Sequence, residues 1–160
     1  MGNRKTGKRP PAPPPLQRVN GIPFRWLTCP NNGQAIHVET KPNLFFIPMK
    51  TPLPESYASA LAPMTWTPHQ CIIKARELVP SVQDPIFHAI NVAEQHEIIF
   101  KDVWESEGVK YSRVPISKEY NIESLNAFFQ CVNTVLEEEK DKTCVFLVYC
   151  GCGLNRVGFC

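Results

Sequence analysis

Cys144-Val145-Phe146-Leu147-Val148-Tyr149-Cys150-Gly151-Cys152-Gly153-Leu154-Asn155-Arg156-Val157-Gly158 is the stretch on which the reading of this chain turns. Its first five residues are a continuous apolar run, as a central strand buried on both faces requires. The strand then opens into a loop holding Gly151 and Gly153, which permit backbone conformations that a side chain resists. A buried strand leading through a glycine-bearing loop into a helix is a general anion-binding device. Successive backbone N–H groups turn inward, and the helix N-terminus adds partial positive charge. Cys150 stands at the strand end, where that field and Arg156 favour a thiolate. Arg156, six residues on, has the length to return across the loop and hold two phosphate oxygens in bidentate fashion. Nucleophile, cradle and clamp together specify attack at phosphorus through a phosphocysteine intermediate. The candidate catalytic residues are therefore Cys150 and Arg156. Gly151, Cys152, Gly153, Leu154, Asn155 and Arg156 are the candidate phosphate-binding residues.

Upstream of the strand, Asn121 is placed to cap a helix. Ile122, Leu125, Phe128, Phe129, Val132, Val135 and Leu136 follow at three- and four-residue spacings and predict one apolar face. Ile86 to Val92 and Val109 to Ile116 read as strands, with a polar helix or loop from Glu94 to Gly108 between them. Thr67-Pro68 starts a further helix through Ile72, Ile73, Ala75 and Leu78, ending near Pro80. Leu44 to Met49 is a short apolar run in which Pro48 predicts an edge strand or a strand end. Strand, helix, strand, strand, helix, strand is the order of an α/β layered domain.

The totals agree with one globular domain behind a short arm. Apolar residues make up 43% of the 160 and charged residues 20%, ordinary values for a globular protein. The net charge is +2, but Arg4, Lys5, Lys8, Arg9 and Arg18 place +5 in residues 1–18, leaving −3 for the rest. Met1 to Gln17 also holds five prolines and cannot bury enough apolar surface to order itself. Residues 1–18 are thus expected to be a disordered basic arm and residues 19–160 the domain. Three roles compete for the arm: a solvated tail, a nuclear-localisation or nucleic-acid-attracting patch, and N-myristoylation at Gly2, the least favoured because the acceptor pattern is short. Seven cysteines, an odd number without a leading signal peptide, point to a reducing cytosol or nucleus. A zinc site built from Cys144, Cys150, Cys152 and Cys160 is the chemical rival to the phosphate loop. It lacks a Cys-x2-Cys knuckle, so neither metal nor cofactor is expected. No apolar stretch approaches the ~18 residues of a membrane span.

Cys150 to Gly158 resembles the signature of cysteine-dependent phosphatases of the dual-specificity type. Leu154-Asn155-Arg156 narrows the resemblance to the RNA 5′-triphosphatase branch: metazoan mRNA-capping-enzyme triphosphatase domains and their stand-alone relatives. Gly21-Ile22-Pro23-Phe24-Arg25-Trp26-Leu27 resembles that branch's entry motif. Phe46-Ile47-Pro48-Met49-Lys50-Thr51-Pro52-Leu53 resembles its first strand, and Gly108-Val109-Lys110-Tyr111 a further block, all in the same order. The resemblance spans roughly residues 20–160 and implies a mostly parallel central sheet flanked by helices. It implies Cys150 as nucleophile, Arg156 as clamp, loop N–H groups from 151–155 and no metal. The substrate it implies is an RNA 5′-triphosphate or diphosphate end, with phosphoproteins as the alternative. Further helices follow the loop in that family, so the sheet is expected to be bare on one face where this chain stops.

Several helper positions differ from the family pattern. Tyr149 stands where the family has histidine, and Val157 where a serine or threonine hydroxyl stabilises the departing thiolate. Asn91-Val92-Ala93 replaces Asp-Leu-Thr, Glu97 falls near the place of a substrate-side arginine, and Ser117-Lys118-Glu119-Tyr120 shortens the loop before the long helix. Glu119 is the one carboxylate in the loop where the wider superfamily keeps its general acid. A phosphate leaving group, with a pKa near ~6, needs no such acid, whereas an alkoxide or phenoxide does. The sequence therefore points either to anhydride substrates or to a catalytically inactive relative that binds through the retained loop. Lys50 and Arg25 match family positions but read as structural or surface residues.

Overall fold

The computed structural model describes residues 18–19, 22–57, 61–62, 64–94, 101–153 and 155–160. The arm over 1–17, with Gly2, and the loop positions Glu97 and Leu154 lie outside the described residues. A two-residue antiparallel ribbon, β1 (Arg18–Val19) with β2 (Ile22–Pro23), precedes helix α1 (Phe24–Thr28). The remaining strands are β3 (Ile36–His37), β4 (Leu44–Lys50), β5 (Ile86–Asn91), β6 (Lys110–Arg113) and β7 (Cys144–Cys150). They form one sheet in the order β3-β4-β7-β5-β6. Every neighbouring pair is parallel except β3 with β4.

The chain is thus an α/β protein with a mostly parallel central sheet flanked by helices. β7 lies in the middle of it, and all seven of its residues are buried. Their side chains alternate. Val145, Leu147 and Tyr149 join one core, and Cys144, Phe146, Val148 and Cys150 join the other. The first core is covered by Trp26 of α1, by Cys71 and Ala75 of α2 (Pro68–Leu78), and by Trp104 of α3 (Lys101–Ser106). The second is covered by Phe128, Val132 and Val135 of α4 (Ile122–Glu138) and by Val157 of α5 (Asn155–Phe159). The face expected to be bare is therefore lined by α4 and Val157. An apolar groove of about 260 Å³ remains there between Ile36, Pro48, Phe129 and Cys160.

Local chemistry sets the helix starts. Thr67 and Gln70 form a reciprocal capping box, with Pro68 at the first helical position of α2. The Asn121 side chain accepts the Ser124 N–H at 3.0 Å and begins α4. Two expectations need correction. Ile122 and Phe129 are 60% and 47% exposed, so the buried stripe of α4 is narrower than its apolar spacing suggested. Pro48 lies in an inner strand and not at the sheet's edge. β3 reaches only Phe45 and Phe46, and beyond it the Pro48 carbonyl accepts from Gly33, so the missing proline N–H interrupts no ladder with β3.

His88 on β5 is a polar residue inside the second layer, 4% exposed and tilted against the Phe146 ring. Its Nε2 meets Ser112 Oγ at 2.9 Å, and its Nδ1 has no hydrogen-bond partner among the described residues. Burial first, and then the Lys110 ammonium, push its pKa down to about 4, with Glu138 acting in the opposite direction. A histidine held neutral in the fold and titrating near 6.5 unfolded contributes stability above pH ~6.5 that is lost as pH falls toward 4. The expected loss between those limits is roughly 3 kcal/mol. Thermal midpoints at pH 7 and pH 4.5 should differ much less in His88→Phe than in the wild type. Equal slopes would remove His88 from the account.

Candidate active site

Four parallel strands deliver their carboxyl ends to one edge of the sheet, the edge at which open α/β sheets place their ligands. Lys50 and Cys150 are register partners at the ends of β4 and β7. The Thr51 N–H (2.9 Å) and Oγ1 (2.8 Å) both donate to the Cys150 carbonyl, and the same N–H reaches the Gly151 carbonyl at 3.3 Å. Those two carbonyls are therefore turned toward β4. Among the described residues, no group accepts from the N–H groups of Gly151, Cys152 or Gly153. Gly153 has φ +68°, and a Cβ there would lie 2.5 Å from the Met49 carbonyl carbon and oxygen. The loop crosses β4 at backbone contact distance, which glycine alone allows.

Cys150 itself is 3% exposed and faces the α4 side, packed with Val148, Val157 and Cys160. Cys160 donates to the Arg156 carbonyl at 3.3 Å, and burial and the nearby Cys150 push its thiol up to about 12. Tyr149, where the family has histidine, faces the opposite core, and its hydroxyl accepts from Trp104 Nε1 at 3.1 Å. It serves packing, on the far side of the strand from the Cys150 side chain. Val157 is buried in the same cluster as Cys150.

Arg156 is fixed by partners that the sequence reading missed. Its Nε donates to the Ile116 carbonyl at 2.7 Å, and Nη2 donates to Glu94 Oε2 at 2.9 Å. This engages two of the guanidinium's five donors and sets its charge beside a carboxylate. Asn91 shapes that contact. Its Oδ1 accepts the Ala93 N–H at 3.0 Å and its Nδ2 donates to the Tyr111 hydroxyl at 3.4 Å, turning the chain after β5 toward the arginine. An acid three residues past a parallel strand, at the same sheet edge as the candidate arginine, was the available signal for Glu94. Glu119, the candidate acid, is exposed on the turn beyond Ile116.

The pair with Glu94 offsets the positive charge that Arg156 would offer to a phosphate. Glu94→Gln keeps an acceptor for Nη2 while removing the opposing charge. Inhibition by inorganic phosphate, measured at low salt, should therefore tighten about fivefold, or ~1 kcal/mol. Unchanged or weaker inhibition would mean that the carboxylate does not compete with the anion.

Lys50 and Arg25 take different places. Lys50 is 2% exposed, with its ammonium 3.8 Å from the Trp26 ring centroid and donating to the Trp26 carbonyl at 3.1 Å and the Cys29 carbonyl at 3.5 Å. Burial lowers its pKa. Arg25 is exposed on α1. Among the described residues, no group of three or more His, Cys, Asp or Glu stands where it could hold a metal ion. No described helix is long and apolar enough to cross a membrane.

No known family model matches the chain, and no curated protein does. Among solved structures it is similar to a candidate phosphatase (DUF442) from Shewanella putrefaciens CN-32, with 16% identity and a TM-score of 0.44. The match covers 82% of this chain and 65% of that one, so the chain spans under two thirds of that protein's length.

Proposed function

We propose that the chain is a cysteine-dependent phosphatase that removes phosphate from RNA 5′-triphosphate or diphosphate ends. The observation that carries the reading is the loop after β7. Cys150 ends the central parallel strand, three successive N–H groups lack acceptors among the described residues, and Arg156 follows in α5 with two of its five guanidinium donors engaged by the Ile116 carbonyl and Glu94. In the proposed reaction the Cys150 thiolate attacks the terminal phosphorus, and the P–O bond to the penultimate phosphate breaks. Water then attacks phosphorus in the phosphocysteine, returning thiolate and releasing inorganic phosphate. The first leaving group is a phosphate and departs without a general acid, consistent with the exposed position of Glu119. The −3 charge of the domain argues against attraction of RNA by its body and leaves that role to the +5 arm. The resemblance in sequence supplies the RNA-end substrate class.

A second reading, a relative that binds through the loop without catalysis, is favoured by two observations: the 3% exposure of Cys150 and the pairing of Arg156 with Glu94. Incubation with γ-labelled triphosphate RNA and, separately, with p-nitrophenyl phosphate distinguishes the readings. Rapid quench of the labelled reaction should trap protein-bound phosphate, because Val157 offers no hydroxyl to the departing thiolate. Release from RNA but not from the phenyl ester supports the anhydride enzyme, and the reverse supports a protein phosphatase. No release from either leaves the binding module.

A further inference from the structure

The groove beside α4 has no part in the phosphoryl chemistry proposed above. It holds about 260 Å³ and is lined from both the sheet's edge at β3 and the flank of α4. Aromatic rings run along it: Phe46 and Phe128 lie 6.2 Å apart between centroids, and Phe128 and Phe129 meet edge-on at 5.9 Å. Ile36 and Pro48 extend the apolar lining, and Ile36 and Phe129 stay 56% and 47% exposed. An apolar groove with aromatic walls suits a proline-rich segment in polyproline II form, because such a segment is already extended and loses little entropy on docking. The chain carries such a segment. Pro10, Pro11, Pro13, Pro14 and Pro15 lie in the arm, outside the described residues.

We propose that this groove is the docking site of the chain's own residues 10–16. Charge favours that occupant. Residues 1–17 hold Arg4, Lys5, Lys8 and Arg9 and no acid, whereas α4 holds Glu123, Glu137 and Glu138 and no lysine or arginine. With the prolines in the groove, the basic residues that precede them lie at its rim, beside those carboxylates. A second copy would instead set acid against acid, since residues 19–160 carry −3. Reach agrees. The arm joins the fold at Arg18, and residues 10–17 in polyproline II form extend ~25 Å. Passing from the helix layer on one face of a sheet, round its edge, to the layer on the other takes ~20 Å. α1 stands on the near side of that edge, since Asn31 and Gly33 after it bond to β4, and β3 at the edge is only two residues long. Val157, the residue after Arg156, lines the same groove, so a docked arm covers the helix that carries the arginine. The inference goes beyond the phosphatase reading and holds whether or not the loop is catalytic.

The test uses the full chain at low salt. A water-soluble carbodiimide joins an ammonium to a carboxylate in contact with it. Peptide mapping of the wild type should find Lys5 or Lys8 linked to Glu123, Glu137 or Glu138 within one monomer. In a second measurement p-benzoylphenylalanine replaces Phe129, and irradiation should link that position to residues 10–16. With Pro11→Ser, Pro13→Ser and Pro14→Ser together in the full chain, both yields should fall at least about fivefold. Photolinks to another copy, seen as a covalent dimer, would overturn the proposal in favour of self-association. So would yields that the serines leave unchanged, or a wild-type map without any link between arm and α4. The wild-type map depends on no variant folding.

Discussion

Cys150→Ser is expected to lower phosphate release from RNA ends by at least about 10³-fold, with the fold retained. The reason is chemical more than structural. Among the described residues neither neighbour in the site serves a serine hydroxyl here as a base: Tyr149 turns to the other core, and Arg156 is a donor already held by Ile116 and Glu94. Without ionisation it is a poor nucleophile, and a phosphoserine would not return its oxygen as easily as a thiolate leaves. The structural cost is small but real. A hydroxyl replacing a 3%-exposed thiol beside Val148 and Val157 must find an acceptor in an apolar surrounding, at ~1–2 kcal/mol. For a domain of this size that lowers the thermal midpoint by about 3–8 °C, which calorimetry resolves from unfolding. Release that persists in a folded Cys150→Ser protein would remove the nucleophile from the mechanism. Equal and absent release in both proteins would favour the binding module.

The legible parts of this chain are those in which one physical requirement acts on consecutive residues. β7 could be read directly because burial on both faces demands an apolar residue at nearly every position, and the structure buries all seven. The starts of α2 and α4 were legible because a cap is local: Thr67 with Gln70, and Asn121 with Ser124, lie three residues apart. The side-chain arrangement of the site obeys no such local rule. Nothing near Arg156 says that its guanidinium meets the carbonyl of Ile116, 40 residues earlier, and the carboxylate of Glu94, 62 residues earlier. Spacing alone equally allowed it to cross the loop. Tyr149 illustrates the same limit. Its place beside Cys150 in sequence suggested a missing helper, but the two-residue period of a strand sends adjacent side chains to opposite cores. Ile122 and Phe129 satisfied helical spacing, yet they stay 60% and 47% exposed. Burial depends on what the partner layer reaches, and that is a property of the assembled fold.

Gly153→Ala is expected to cost about 3 kcal/mol, lowering the thermal midpoint by roughly 10 °C, and to remove phosphate binding by the loop. Two penalties combine at this position. The φ of +68° is strained for any residue with a Cβ. That Cβ would also stand 2.5 Å from the Met49 carbonyl carbon and oxygen and 2.7 Å from the Lys50 nitrogen. These are backbone atoms of a strand locked to β7 over seven register pairs, so β4 cannot yield and the loop must move. Moving it carries the N–H groups of Cys152 and Gly153 away from Cys150, and the Thr51 bonds to the Cys150 and Gly151 carbonyls resist the shift. Gly151→Ala supplies the contrast. Nothing lies within 4 Å of a Cβ there and its φ is not in the left-handed region, so its stability should change by only a few tenths of a kcal/mol. From sequence the two glycines are equivalent members of one loop. If Gly151→Ala were the more damaging of the two, the close approach to β4 would not be what holds the loop in place.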